Sequence, residues 1–238
     1  MDVRQVPAVD IGALMALSTD AERVGFFYIA NHGLPEQEVA RLQDAMRSFF
    51  HLPKETKRTA KRTSTNSRGY VETELTKNKT DCKECFDFTG VNEDDPANDK
   101  HLRLVDDQNQ WVGEEILPGF RSNMSTYFNK MKYIARRLLK VFAVALGEEP
   151  GFFDQFYHED NLSHMRLNHY PATKDPEKTM GVYHHTDAGA LTILLQDDEV
   201  ASLQAFHRDS QTWVNVPPRK GTYTINIGDM VQVWSKKK

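Results

Sequence analysis

Only two cysteines, Cys82 and Cys85, occur in 238 residues. That is too few for a disulfide scaffold and fits a reducing compartment such as the cytoplasm. No apolar run is long enough to span a bilayer, so no membrane partner is expected. The opening Met1-Asp2-Val3-Arg4-Gln5-Val6-Pro7 lacks the apolar stretch of a secretory signal. Positive charge is not in excess. Lys and Arg number 30 against 34 Asp and Glu, a formal charge of -4, which gives no electrostatic case for binding nucleic acid. There is no internal repeat and no glycine-rich loop of the kind that cradles phosphate.

What is present reads as a globular chain. Hydrophobic residues make up 39% and charged residues 27%, enough to bury a substantial core. Val6 to Ile11 reads as a short opening strand, and Ser18, Thr19 and Asp20 can cap a short helix through Arg23. Gly25-Phe26-Phe27-Tyr28-Ile29-Ala30 reads as a buried strand that turns at Asn31-His32-Gly33. Pro35 sits where a helix would begin. Val39, Leu42, Met46, Phe49 and Phe50 follow at helical spacing, and Pro53 ends the segment. Residues 54–68 carry a run of Lys and Arg among Thr and Ser, expected to be a solvated connection. Residues 91–110 are acidic and polar, expected to be a surface loop.

Phe120, Met124, Tyr127, Phe128, Met131, Ile134, Leu138, Leu139 and Phe142 form one long amphipathic stripe that stops at Gly147. This predicts a core helix against which a sheet packs. Beyond it the pattern changes to short strands. They are expected at 164–170, 182–186, 190–196, 202–206, 213–216, 222–227 and 230–234, separated by Pro, Gly and Asp turns. Many short strands at even spacing indicate a barrel or jelly roll. Three segments are expected: 1–115, a helical connection over 116–160, and a strand-rich core over 161–238.

The chemistry concentrates at His185-Thr186-Asp187. An imidazole and a carboxylate one residue apart share a face of an extended strand. They present one nitrogen and one oxygen to a single metal, two-thirds of the facial triad that leaves open positions on Fe(II). Arg166, Asn168 and Tyr170 share one face of the 164–170 strand; their donors suit a dicarboxylate, and the alternative is a polar strand face turned to solvent. No third histidine is well placed: His184 points to the opposite face, His207 falls at an exposed hairpin turn, and His164 is far along its strand. Cys82-Lys83-Glu84-Cys85 has the C-x-x-C form, but no second pair completes a four-ligand zinc site.

The stretch from His185 to Asp197 resembles the iron-binding strand pair of the isopenicillin N synthase-like Fe(II)/2-oxoglutarate-dependent dioxygenases. Val6 to Asp10, Gly25 to Gly33, Arg166 to Pro171, Leu203-Gln204, Trp213 to Pro217 and Asn226 to Asp229 continue the likeness in order. The resemblance implies an α+β fold with a double-stranded β-helix (jelly roll) core packed on the long helix. It implies an oxidoreductase that couples Fe(II), O2 and 2-oxoglutarate to oxidation of a small organic substrate, with succinate and CO2 as coproducts. His185 and Asp187 become iron ligands, and Asn168 and Tyr170 become cosubstrate contacts. In the family a third His and an Arg-x-Ser pair follow the Gly-Asp-Met-Val-Gln-Val-Trp-Ser stretch. Here that stretch runs into Lys236 to Lys238, so the third ligand and the closing strands are expected beyond Lys238. The alternatives are a related Fe(II) oxidase that does not use 2-oxoglutarate and a non-catalytic binding protein.

Overall fold

Phe27, Tyr28 and Ile29 are all buried, as expected of a strand covered on both faces. They form the middle of β2 (Phe26–Ala30) in the computed structural model, which describes residues 8–10, 25–90, 108–156, 163–175, 178–208 and 210–235. The helix expected through Arg23 and most of the 91–110 stretch lie outside the described residues. The chain divides into two compact units. One comprises Met1–Glu36, Met131–Gln155 and Thr186–Lys238; the other comprises Gln37–Lys130 and Phe156–His185.

In the first unit β2 pairs in parallel with β1 (Ala8–Asp10). Its other edge receives a strand over Tyr223–Ile227, antiparallel, which in turn pairs with Leu191–Leu194. A separate antiparallel hairpin joins Gln204–His207 to Thr212–Asn215. Phe27 meets Phe142 edge-on, with ring centroids 6.2 Å apart, so the C-terminal half of the long helix (Phe120–Ala145) covers this sheet.

In the second unit α1 (Glu36–His51) is followed by α2 (Lys54–Arg58) and by a three-stranded antiparallel sheet. Its strands are β3 (Gly69–Val71), β6 (Glu84–Thr89) and β7 (His164–His169), with β6 in the middle. A small hairpin of β4 (Leu75–Thr76) and β5 (Lys79–Thr80) sits between β3 and β6 in sequence. The long helix, α3, contributes Phe120, which stacks on Phe49 of α1 at 5.1 Å, and Phe128, which meets Phe88 of β6. The expected apolar stripe of α3 is buried from Phe120 through Leu139. The helix stops at Gly147, whose φ of +83° is the left-handed conformation a glycine adopts without penalty. The strands of the first unit then follow as β8 (Leu191–Leu194), β9 (Gln204–His207), β10 (Thr212–Asn215) and β11 (Tyr223–Ile227), and the described structure closes with α4 (Asp229–Trp234). Helices and mainly antiparallel sheets are thus mixed within each unit.

Four expectations change. Residues 182–186 form no strand ladder. Residues 230–234 are helical, because Gly228 opens α4 and the first N–H groups of that turn find carbonyl partners. Gly228 N–H donates to Ala190 O (2.9 Å), Asp229 N–H to Asp187 O (2.8 Å) and Met230 N–H to Gly189 O (3.2 Å). A Cβ at position 228 would lie 2.0 Å from Gly189 O, so only glycine allows this approach. Residues 54–58 are helical rather than a solvated connection. Lys57 is buried, donating to Phe50 O (2.9 Å) and pairing with Glu84 at 2.5 Å. His207 is buried rather than exposed, its Nδ1 lying 2.7 Å from Ser210 Oγ.

Candidate functional site

Asp187 takes its setting from the β8–β11 pairing. The register places Thr192 opposite Asn226. Both donate to the same carboxylate oxygen of Asp187: Thr192 Oγ1 at 2.5 Å and Asn226 Nδ2 at 2.8 Å from Oδ2. Asn226 is buried, so its amide is a fixed donor. The flanking backbone is also held, because Asp187 O accepts from Asp229 N–H and Thr186 Oγ1 donates to Asp229 Oδ2 at 2.7 Å. Sequence reasoning misses Thr192, Asn226 and Asp229 as partners, since strand register is not written locally. An amide, Asn226, within the otherwise largely apolar run Tyr223 to Ile227 is a signal the sequence offers.

His185 lies in the second unit and is exposed. Its Nδ1 is 2.8 Å from Tyr183 O. A ring nitrogen facing a carbonyl carries the proton, which leaves the lone pair of the neutral ring on Nε2. That tautomer, and a carboxylate oriented by two donors, is how metal-ligating side chains are held. Among the described residues, no group of three or more His, Cys, Asp or Glu is gathered for a cation.

Asn168 is on β7, directly opposite Cys85 of β6. The Cys85 thiol donates to Asn168 Oδ1 at 3.2 Å. Burial pushes the Cys85 thiol up to about 11, so it is a neutral donor. Both cysteines are free and Cys85 is buried on a strand. Tyr170 follows the end of β7 and keeps half of its surface exposed. Desolvation nevertheless raises the pKa of its hydroxyl, opposed by the nearby Lys83 charge. A Cβ on Gly181 would come within 2.8 Å of the Tyr170 ring, so that glycine lets the ring lie against the backbone.

Arg166 shares the strand face of Asn168 as expected, but it is not a donor for a ligand. Its guanidinium grips Asp87 with two bonds of 2.7 Å and reaches Glu74 at 2.8 Å. The hydrogen bonds to Asp87 are the main reason its pKa rises. Lys83, which is buried, completes the cluster on Glu74 (2.9 Å) and Asp81 (3.3 Å).

These features meet matching relatives. Residues 7–114 match the family described as non-haem dioxygenase in morphine synthesis N-terminal, and residues 161–238 match the 2OG-Fe(II) oxygenase superfamily. The chain is 31% identical over 262 residues to homoarginine-6-hydroxylase 2-ODD-C23 of Glycine max, covering 98% of this chain and 78% of that one. It is 32% identical over 248 residues to flavanone 3-dioxygenase 2 of Oryza sativa subsp. japonica, covering 98% and 66%. Its fold superposes on the crystal structure of a full-length Neurospora crassa protein in complex with alpha-KG, with a TM-score of 0.82 and 25% identity, covering 98% of this chain and 75% of that one.

The chain belongs to the 2OG-Fe(II) oxygenase superfamily. It is therefore an oxidoreductase of a family that uses Fe(II), 2-oxoglutarate and O2 on small organic substrates.

Proposed function

We propose that His185 and Asp187 hold Fe(II), and that Asn168 and Tyr170 contact 2-oxoglutarate, for oxidation of a small organic molecule. The observation that carries this reading is the hold on Asp187: two side chains from paired strands aim at one oxygen of its carboxylate. Hydrogen bonds of this kind orient a carboxylate that ligates a metal. One imidazole nitrogen and one carboxylate oxygen, an N,O pair one residue apart, suit Fe(II). Fe(II) held there by His185 and Asp187 would supply activation of O2; the chain's own part is to hold, orient and exclude water.

Asn168 brings an amide whose oxygen already accepts from Cys85, which commits its nitrogen end to act as a donor. Tyr170 brings a hydroxyl that desolvation keeps protonated. Both are donors suited to an anion. The reading extends to architecture. Residues 161–238 supply a double-stranded β-helix core, residues 1–115 an N-terminal region and residues 116–160 the helix between them, in line with family matches over 7–114 and 161–238. Two free cysteines fit a cytoplasmic setting.

The test is anaerobic addition of Fe(II) with 2-oxoglutarate, followed by visible absorption and, on admitting O2, succinate release. A charge-transfer band that requires both additions is expected. Absence of the band, with Fe(II) bound, would favour an oxidase that does not use 2-oxoglutarate. Absence of metal binding would leave only a binding role.

A further inference from the structure

We infer that Asp81, outside the ligand set, is a positioning residue that fixes the orientation of His185; the inference rests on the reading of His185 as a metal ligand. The Asp81 side chain is fully buried. Its Oδ2 accepts from Thr76 Oγ1 at 2.7 Å and faces Lys83 Nζ at 3.3 Å. Its Oδ1 accepts from the backbone N–H of Tyr183 at 3.4 Å. The carbonyl of that same Tyr183 receives His185 Nδ1 at 2.8 Å. One residue therefore stands between the buried carboxylate and the imidazole, and its φ and ψ set both bonds at once.

Independent contacts pin the same stretch. Cys82 N–H donates to Met180 O at 2.9 Å, and Lys79 Nζ lies 4.9 Å above the Tyr183 ring. Asp81 N–H is itself tied to Glu74 O at 3.0 Å. Residues 79–82 thus grip residues 180–183 at three points. Of these gripping groups, Asp81 is itself held by Glu74, Lys83 and Thr76. His185, exposed and outside any ladder, has no strand to orient it; the grip on Tyr183 takes that role.

The experiment compares Asp81→Asn with Asp81→Glu in the full chain, alongside His185→Ala, by anaerobic Fe(II) titration with circular dichroism as the folding check. Asn keeps an oxygen aimed at Tyr183 N–H but removes the charge from Lys83. Glu keeps the charge but moves the acceptor by a methylene. Fe(II) affinity is expected to stay near that of the parent in Asp81→Asn. It should fall about tenfold in Asp81→Glu, the lower end for groups that orient a ligand. The reverse order, or equal affinity in both, would overturn the role. Nitrogen-15 NMR of the metal-free parent chain gives a second reading that needs no variant. His185 is expected as the Nδ1–H tautomer, and a predominant Nε2–H tautomer would overturn the inference even if neither variant folds. Unchanged affinity in His185→Ala would instead remove the metal reading itself.

Discussion

Asp87 and Asp187 are both carboxylates on sheet elements or beside them, yet they are held in opposite ways. Asp87 lies buried on β6 and meets the Arg166 guanidinium with two 2.7 Å bonds. Asp187 precedes β8 and receives a hydroxyl and an amide, both neutral, on one oxygen. A charged partner neutralises a carboxylate and locks it into the fold. Neutral donors aim a carboxylate without cancelling its charge. The first arrangement ties two elements of one unit together; the second is the one expected of the proposed ligand. A sequence that shows Asp in Cys85-Phe86-Asp87-Phe88 and Asp in His185-Thr186-Asp187 cannot separate these roles by residue type, but their partners do.

The largest expected effect breaks the charge-paired side. Asp87→Ala leaves Arg166 without its main partner in a partly buried site, and should destabilise the fold by about 3 kcal/mol, the low end for a broken buried pair because Arg166 is partly exposed. Urea unfolding measures it, and metal affinity of the folded fraction should be unchanged. Next, Asn168→Ala and Tyr170→Phe should each weaken 2-oxoglutarate binding by roughly 1.5–3 kcal/mol, the range for a hydrogen bond to a charged group. Calorimetry on the Fe(II)-loaded protein checks this, with iron affinity little altered. On the neutral-donor side, Asn226→Ala should weaken Fe(II) binding about 10–100-fold with the fold retained. Thr192→Val should act in the same direction, and the double variant less than additively, because both donors serve one oxygen.

The smallest effect is a pH dependence. His169 packs on Phe50 at 5.3 Å, its Nδ1 is buried without a hydrogen-bond partner, and burial lowers its pKa. Glu84 opposes that shift, while Lys57 and His51 reinforce it. In the window between the lowered folded pKa and the unfolded value of about 6.5, the unfolded chain binds the extra proton, so stability rises with pH there. The contribution is fully present above that unfolded value and declines as pH falls from it toward the folded one. His169→Phe keeps the stacking and should flatten the profile of unfolding free energy across that window; an unchanged slope would assign the dependence to other groups.

The long helix is legible in the sequence because nine apolar residues at a 3.6 period leave few alternatives. The strand of Phe26 to Ala30 is legible as a continuous apolar run. Met230 to Trp234 is not, since five apolar and polar residues fit either period, and the choice falls to Gly228 and to carbonyls at 187, 189 and 190 that the local sequence does not reveal. Lys57 is hidden in a charge run whose usual fate is solvent. Its burial depends on Glu84, 27 residues away, although Pro53 and Glu55 do mark a helix start. Spacing picks out His185 and Asp187, but a shared strand face is the wrong reason for residues outside a ladder. Their settings come instead from Tyr183 on one side and from the Thr192–Asn226 pair on the other. Alternation places Arg166 on the face of Asn168, and its commitment to Asp87 becomes visible only with the register of β6 on β7.

The most direct test of the account is an anaerobic Fe(II) titration of the parent chain beside His185→Ala and Asp187→Ala, with unfolding followed in the same samples. Both variants are expected to lose high-affinity iron binding. His185→Ala should keep the parent's unfolding midpoint because the ring is exposed. Asp187→Ala also leaves the buried Asn226 amide without its acceptor, and should lower the midpoint modestly while the chain still folds. Equal Fe(II) affinity in all three proteins would contradict the assignment of His185 and Asp187 as the metal ligands.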